Sequence, residues 1–475
     1  MSDSQKIKWT TLAFMCFSTV WGFGNVLNGF VYFNGIQVIF SWILMFALYF
    51  IPYALMVGEL GSAFKDSGGG VSSWMLKTAG PKAAYYAGWT YWACHVTYIA
   101  SKSSGGLKAL SWAVFRNGTT YDSFPTLAVQ LVTFAVLMLF CYIASRGLNP
   151  LKKLTTLAGT SMFVMSILYI IMMFGARAIN PDADYVSMDF SMKNLIPNFD
   201  VKYFTSLSIL VFAVGGCEKI SPYVNKMDKP SKSFPKAMIT LAIMVVVCAI
   251  LGTIAMGMMF DPKVINASDA SFNSYVANGS YLAFQKLGNY WHMGDTLLII
   301  YAICNVIGQL STLVLSIDAP LRMLLDNEDA REYIPTKLLK KNDKGAYVNG
   351  IKMVAVLSGA IVLVQSFVPG AAAVLQQLNK LNSVCMPMRY LWVFAAYICL
   401  RKQEDKFQPE YRFVKNHKVA LFFGVWCFVV TAACCILGVY SDDLFTLVLN
   451  IVTPVVLILL GFILPAIKKR EKAQA

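Results

Sequence analysis

Long, almost uncharged apolar stretches recur along the whole chain, and they limit most strongly what it can fold into. A helix that crosses a membrane needs about 20 mostly apolar residues. Twelve such stretches in the sequence predict an all-α integral membrane protein with 12 transmembrane helices. The predicted spans are 9–35, 38–63, 83–112, 125–144, 154–176, 202–224, 237–260, 293–322, 351–367, 371–399, 418–440 and 444–466.

The composition excludes an ordinary soluble enzyme and a disordered chain. Hydrophobic residues make up 57% of the 475 residues and charged residues 14%, whereas a soluble domain is about 45–50% apolar and about 25% charged. The 11 cysteines lie mostly within apolar stretches and form no CxxC pair. The sequence therefore predicts no metal site and no cofactor.

The positions of the basic residues predict the orientation of the chain. The net charge of +15 would suggest nucleic-acid binding in a soluble protein, but here the Lys and Arg residues cluster between spans. If the N-terminus is inside, 29 of the 40 Lys and Arg residues lie inside and six lie in outside loops. The positive-inside rule then makes segments 1–8 and 467–475 cytoplasmic. The expected partners are the lipid bilayer of the cell membrane and a small-molecule substrate, with no nucleic acid; a homodimer is left open.

Glycine-rich interruptions lie near the middle of the first and sixth spans. They are Gly22-Phe23-Gly24-Asn25 and Gly215-Gly216-Cys217-Glu218. Broken backbone at membrane depth is tolerated only where it lines a cavity or is buried in protein. The interruptions open two five-span blocks, 9–176 and 202–399, which predicts an inverted repeat with a transport site at the midplane. Small-residue packing between helices is the alternative interpretation.

Three stretches, in order and correctly spaced, resemble the amino acid–polyamine–organocation superfamily. Residues 51–81 are similar to its second helix and first cytoplasmic loop, 212–238 to its sixth helix and following loop, and 319–345 to its eighth-helix exit. Within the superfamily, the chain looks most like the glutamate/GABA antiporter group. The resemblance implies a five-plus-five inverted-repeat fold with two further helices in 418–466. It also implies alternating access without covalent chemistry.

The two interruptions predict a site for a zwitterion. The first N–H groups of a half-helix lack partners and favour an anion, so the Gly22–Asn25 turn is the predicted cradle for a carboxylate. Freed carbonyl groups near Ala213, Gly215 and Gly216 are predicted to accept hydrogen bonds from an ammonium group. Together these groups fit an α-amino acid, which matches the arrangement in the family.

The third span carries further candidates on one helix face. The resemblance implies that the third helix lines the substrate pocket, so Tyr98 and Lys102 are predicted to face the cavity. His95 on the same face is interpreted as a packing residue. Lys102 would bind a second carboxylate or stand where relatives bind sodium or hold a fixed cation. It would alternatively snorkel towards the outer surface. In the pocket, Lys102 would disfavour a dicationic substrate such as agmatine.

Residues beside the interruptions are predicted to gate the site. Trp21 and Phe212, which precede the two interruptions, are predicted lids. Glu218 is an intramembrane carboxylate and therefore a functional candidate. The family has a glutamate at this position, so the resemblance implies gating or proton linkage; a structural contact to loosened N–H groups is the alternative. Lys219 beside it is unusual for the family and is a candidate partner for the carboxylate.

Two further ionisable residues are predicted to act as gates or structural ion pairs. Arg389 lies inside the tenth span after Pro387, which predicts a local kink, and its candidate partners are Glu218 and Asp318. Asp318 is predicted to pair with Arg322 four residues later. Alternatively, it pairs with the lysines of the N-terminal segment as a cytoplasmic gate.

The predicted function is secondary active transport of amino acids across the plasma membrane. The leading hypothesis is an antiporter that exchanges an amino acid, glutamate-like or other, for a related amino acid or its decarboxylated amine. Proton-coupled symport stays open. A membrane-embedded enzyme or a receptor is disfavoured, because the chain has only three histidines and neither class predicts matched broken helices.

Overall fold

The computed structural model describes residues 6–326, 329–367, 371–441 and 443–474. In these residues helices account for nearly all the regular structure, and the only β pairing is an isolated bridge between Ile7 and Met227. The helices are α1 (Trp9–Val20), α2 (Phe23–Tyr32), α3 (Val38–Met45), α4 (Ile51–Ala63), α5 (Val71–Ala79), α6 (Pro81–Phe115), α7 (Thr119–Ser123), α8 (Thr126–Ala144), α9 (Leu148–Ile179), α10 (Met192–Leu195), α11 (Val201–Val214), α12 (Pro230–Gly257), α13 (Pro262–Ile265), α14 (Asp269–Tyr290), α15 (Thr296–Leu325), α16 (Val348–Val364), α17 (Ala371–Cys385), α18 (Tyr390–Lys402), α19 (His417–Gly438), α20 (Leu444–Leu459) and α21 (Ile463–Gln474).

The number of membrane-crossing segments agrees closely with the prediction. Among the described residues, eleven helical segments are long and apolar enough to span a membrane. The third predicted span corresponds to α6, which is 35 residues long but carries three lysines and a Ser- and Gly-rich stretch. Most of the middle of α6 is buried, and the helix packs along α15. The predicted all-α membrane fold is confirmed.

Both predicted interruptions are present, but they differ in form. In the first span, α1 ends at Val20 and α2 begins at Phe23. In the sixth span, α11 ends at Val214, and the segment Cys217–Lys226 that follows is a 3₁₀-helix instead of the predicted α-helical half. Pro222 lies within this segment, and a proline removes an i→i−4 hydrogen bond and clashes with the preceding turn. The limits of the two five-span repeats stay a prediction.

Two other segments complete the walls of the central region. Between α17 and α18, the kink predicted at Pro387 is the 3₁₀ segment Met386–Arg389. The stretch between α12 and α15 lies outside the apolar spans, so its helix α14 was not predicted. The Ser268 side chain caps α14 by accepting a hydrogen bond from the backbone N–H of Ser271. Helix α14 packs against α2 and α15.

The face that carries the N-terminal segment is closed by polar contacts between distant parts of the chain. The backbone N–H of Ile7 donates to the Lys226 carbonyl at 2.9 Å. The buried carboxylate of Glu59 accepts from Arg401 at 2.9 Å and from the backbone N–H of Phe413 at 2.8 Å. These bonds tie the N-terminal segment and the 403–416 loop to the helix ends, whereas the opposite face is open.

Candidate functional site

A cavity of about 2070 Å³ connects the two helix interruptions with the open face of the protein. Its outer wall includes Pro197, Asn198, Asp200 and residues 266–268, in loops that the charge distribution predicts to be extracellular. The predicted site and gating residues that line it are Trp21, Gly22, Phe23, Gly24, Asn25, Tyr98, Lys102, Phe212, Gly215 and Arg389. The predicted residues behind this described lining are Ala213, Gly216, Glu218 and Asp318.

The first interruption presents backbone donors to the cavity. Among the described contacts, the N–H groups of Gly22, Phe23 and Gly24 have no hydrogen-bond partner. A Cβ atom added at Gly22 would meet nothing within 4 Å, so this turn borders open space. The side chain of Phe23 is only 1% exposed and packs against the rings of Tyr169 and Phe284. Phe23 can therefore contribute its backbone, but not its ring, to the predicted carboxylate cradle.

Asn25 joins the two interruptions to each other. Its side-chain amide donates to the carbonyl of Val20 at 3.1 Å and to the carbonyl of Ala213 at 3.0 Å. Each interruption leaves a carbonyl without a helical partner, and one amide group with two N–H donors satisfies both. The Ala213 carbonyl, predicted to accept from a substrate ammonium, therefore already accepts from Asn25.

The second interruption offers one carbonyl group to the cavity. The Gly216 carbonyl accepts from the backbone N–H of Lys219 at 3.1 Å, whereas the Gly215 carbonyl has no partner among the described contacts. Gly216 has φ +115°, which strongly favours glycine. Of the three residues predicted to hold an ammonium group, Gly215 keeps a free carbonyl at the cavity wall.

The two interruptions provide a matched pair of glycine substitutions. Gly215→Ala is expected to lower the free energy of unfolding by about 1–3 kcal/mol, the usual cost of overpacking, because the new methyl group overlaps the ring of Tyr390. Gly22→Ala is expected to fold normally, because Gly22 is extended with φ −142°, but its methyl group would obstruct the cradle and raise the KM. Thermal unfolding and uptake would check both variants. Equal stability of the two variants would contradict the account of the second interruption.

Cations gather around the ring of Tyr98. The ammonium of Lys102 lies 4.8 Å from the ring centroid and lines the cavity, so the structure places it at the cavity and not at the outer lipid surface. The ammonium of buried Lys219 lies 5.0 Å from the same centroid and donates to the Ser316 hydroxyl at 2.6 Å.

Phe212, a predicted lid, meets the Tyr98 ring edge-on at 6.2 Å. The predicted lid Trp21 is 2% exposed and packs edge-on against Trp42 at 5.6 Å.

Glu218 is held in a buried network behind the cavity. Its carboxylate accepts hydrogen bonds from the hydroxyl groups of Tyr53 and Tyr91 and pairs with Arg389 at 3.4 Å. Of the two candidate partners for Arg389, the structure therefore places Glu218 beside it. Lys219 instead contacts Ser316 and Tyr98, so the ion pair of Glu218 is with Arg389.

His95 extends this network to the third span. Its Nδ1 lies 2.7 Å from the Tyr91 carbonyl, and its Nε2 lies 2.6 Å from Nη1 of Arg389. A carbonyl can only accept and a guanidinium can only donate. The two contacts therefore assign a neutral imidazole with its proton on Nδ1. His95 positions Arg389, which extends its predicted packing role.

Asp318 lies on the closed face. Its carboxylate accepts from Nε of Arg322 at 2.7 Å and from the Tyr223 hydroxyl at 2.8 Å. This is the pair within one helix that the four-residue spacing predicts. Because Tyr223 belongs to the segment after the second interruption, the contact joins that segment to α15. A gating role for Asp318 stays a prediction.

Lys108 lines the cavity but was not among the predicted site residues. The sequence could have indicated it, because Lys108 is one of five basic residues that fall within predicted spans. Ionisable residues in such spans are functional candidates. On the neighbouring helix α15, Asn305 donates to the Tyr281 hydroxyl and accepts from Gln309. Both amides line the cavity.

Comparison with known proteins decides the family. The family described as "Amino acid permease" matches residues 7–463. The chain belongs to this family. The permease is 47% identical over 484 residues to the aspartate/glutamate permease AcaP of Lactococcus lactis subsp. cremoris (strain MG1363), covering 100% of this chain and 97% of AcaP. The predicted superfamily is therefore confirmed.

More distant transporters also match the permease. The inner membrane transporter YjeM of Escherichia coli (strain K12) is 24% identical over 453 residues, covering 89% of this chain and 87% of YjeM. The glutamate/gamma-aminobutyrate antiporter of Lactococcus lactis subsp. cremoris (strain MG1363) is 21% identical over 236 residues, covering 49% of this chain and 46% of the antiporter. The predicted resemblance to the glutamate/GABA antiporter group is thus confirmed.

Proposed function

We propose that this permease is a secondary active transporter of acidic amino acids in the cell membrane, and that it works by exchange through alternating access. One observation carries the proposal. A single cavity is lined both by the unpartnered N–H groups of Gly22–Gly24 and by the cationic side chains of Lys102 and Lys108. An acidic amino acid has two carboxylates, and this cavity provides more than one place for an anion.

The groups around the cavity suggest how such a substrate is held. The α-carboxylate binds the N–H groups at the start of α2, where the helix dipole also favours an anion. The ammonium binds the free carbonyl of Gly215, and the side-chain carboxylate binds Lys102. A cationic substrate would place its charge close to Lys102 and Lys108, which is unfavourable. The named substrates of the relative AcaP, aspartate and glutamate, have this charge pattern.

The contacts of Glu218 favour exchange over proton symport. A carboxylate that carries protons has to exchange them with water during the cycle. Glu218 is fully buried, and its oxygens already face Arg389 and two tyrosine hydroxyl groups, so both oxygens act as acceptors within the protein. In this proposal, Glu218 fixes Arg389 at the cavity wall, and the gradient of a second amino acid, or of a decarboxylated acidic amino acid that keeps one carboxylate, drives transport.

The contrast between the two faces supports alternating access. The cavity is open on the face predicted to be extracellular, whereas the bonds of Ile7 and of the Asp318, Arg322 and Tyr223 group close the other face. The structure then corresponds to an outward-facing state. Opening of the closed face would require separation of Asp318 and Tyr223, because they lie on different elements.

Counterflow in liposomes tests this function. The purified protein is reconstituted into liposomes that contain aspartate, the decarboxylated amine of an acidic amino acid, or buffer alone. The entry of labelled aspartate is measured with and without an imposed proton gradient. Uptake that requires an internal amino acid or amine is expected. Equal uptake into empty liposomes that follows the proton gradient would establish symport instead. No uptake of aspartate under any condition would overturn the assignment of an acidic substrate.

A further inference from the structure

Lys108 is a buried cation on the cavity wall, apart from the inner groups at Gly22–Gly24, Gly215 and Lys102. Only 3% of the residue is exposed, yet it belongs to the cavity lining. Among the described contacts, no hydrogen bond or ion pair involves its ammonium group. Burying a charge without a partner is costly. The ammonium group of Lys108 in this position therefore suggests an anionic partner that enters from the cavity.

The nearby acidic side chain does not supply that partner. Asp122 of α7 acts on Lys108 electrostatically, but Asp122 is exposed and lies beyond ion-pair distance in the described contacts. Ser111, one turn further along α6, also keeps its hydroxyl group without a hydrogen-bond partner. The region around Lys108 therefore contains donors that the protein itself does not satisfy.

Lys108 and Lys102 are separated along α6. Six residues of an α-helix correspond to a rise of about 9 Å and a rotation that leaves the two side chains about 120° apart. Lys108 is the one nearer to the end of α6 at Phe115, on the side of the open face. Between the two lysines, Gly105 lies beside the side chain of Gln309, which lines the cavity as well. The wall between them is therefore polar.

We propose that Lys108 forms a second, outer binding site, which takes a carboxylate group of an acidic amino acid before the substrate reaches the inner site at Gly22–Gly24 and Lys102. This inference rests on the proposed function, because it takes the ligand to be an acidic amino acid. The outer site raises the local concentration of substrate above the inner site. It also rejects cationic amines from the same cavity.

The test compares Lys108→Met with the wild-type protein in two measurements. Equilibrium binding of labelled L-aspartate to the purified full-length protein is expected to give two sites per chain for the wild type and one for Lys108→Met. In cells, the KM for external aspartate is expected to rise about tenfold, equivalent to about 1.4 kcal/mol, with little change in kcat. Lys108→Arg is expected to keep both sites, and Asp122→Asn to bind and transport as the wild type does.

Stability provides an independent measurement for the same variant. Removal of an unpaired buried charge is expected to raise the melting temperature of ligand-free Lys108→Met above that of the wild type. One binding site in the wild type, with an unchanged KM in Lys108→Met, would overturn the outer site alone. If the wild type binds no aspartate or glutamate, the proposed function fails, and the outer site fails with it.

Discussion

Replacement of Lys102 by methionine is expected to raise the KM for aspartate and glutamate about 30-fold while the protein still folds. Loss of one partner from a desolvated charge pair costs about 2–5 kcal/mol, and the lower end applies because Lys102 is only partly buried. A loss of about 2 kcal/mol corresponds to about 30-fold in affinity. Methionine has a similar length, and it would keep the contact with the ring of Tyr98. Uptake at graded aspartate concentrations, normalised to protein in the membrane, measures the change.

The substrate profile of the same variant separates charge recognition from packing. Lys102→Met is expected to lose the preference for aspartate over its neutral amide, asparagine, whereas Lys102→Arg is expected to keep that preference. If Lys102 only packs against Tyr98, the uptake of both amino acids would change by the same factor. An unchanged KM for aspartate would remove Lys102 from the binding site.

Replacement of Glu218 by glutamine is expected to destabilise the folded protein by about 3–5 kcal/mol, the usual cost of breaking a buried ion pair by removing one partner. The side chains of Arg389 and Glu218 are 3% and 0% exposed, so the guanidinium of Arg389 would lose its ionic partner without gaining water. Thermal unfolding of the purified protein and the amount of folded protein in the membrane measure the effect.

The matched variants show whether the loss comes from the pair or from Glu218 itself. Arg389→Gln is expected to be destabilised to a similar extent, and the double variant Glu218→Gln/Arg389→Gln is expected to be more stable than the sum of the single losses predicts. A fully stable Glu218→Gln with an altered pH dependence of uptake would instead support the predicted proton linkage. That outcome would contradict the static role that the geometry gives to Glu218.

The fold could be predicted largely from the sequence, because in a membrane the hydrophobic pattern alone specifies where helices cross. The interruptions at Gly22 and Gly215 were visible as glycine clusters within apolar stretches, and both lie where predicted. The 3₁₀ form of the segment Cys217–Lys226 was less evident. Its cause, Pro222, is in the sequence, but a proline specifies that regular α-helix is disrupted and does not specify which geometry replaces it.

The candidate site was predictable in its elements but not in its pairings. Helix periodicity placed Tyr98 and Lys102 on one face, and the resemblance to the family implied that this face lines the pocket. Arg389 had two candidate acids, of which the structure brings one into contact. Asn25 shows the limit most clearly. It was predicted to face a substrate, but its amide bonds to two carbonyls that are 193 residues apart in the chain, Val20 and Ala213. Only the tertiary structure brings those two groups together.

The central claim is that this cavity selects acidic amino acids by charge, and binding of aspartate against asparagine to the purified protein tests it most directly. The two ligands have nearly the same shape and differ in one negative charge. The account predicts that aspartate binds at least tenfold more tightly than asparagine, a difference of about 1.4 kcal/mol, and that agmatine does not compete. Equal affinities for aspartate and asparagine, or tighter binding of the amine, would contradict it.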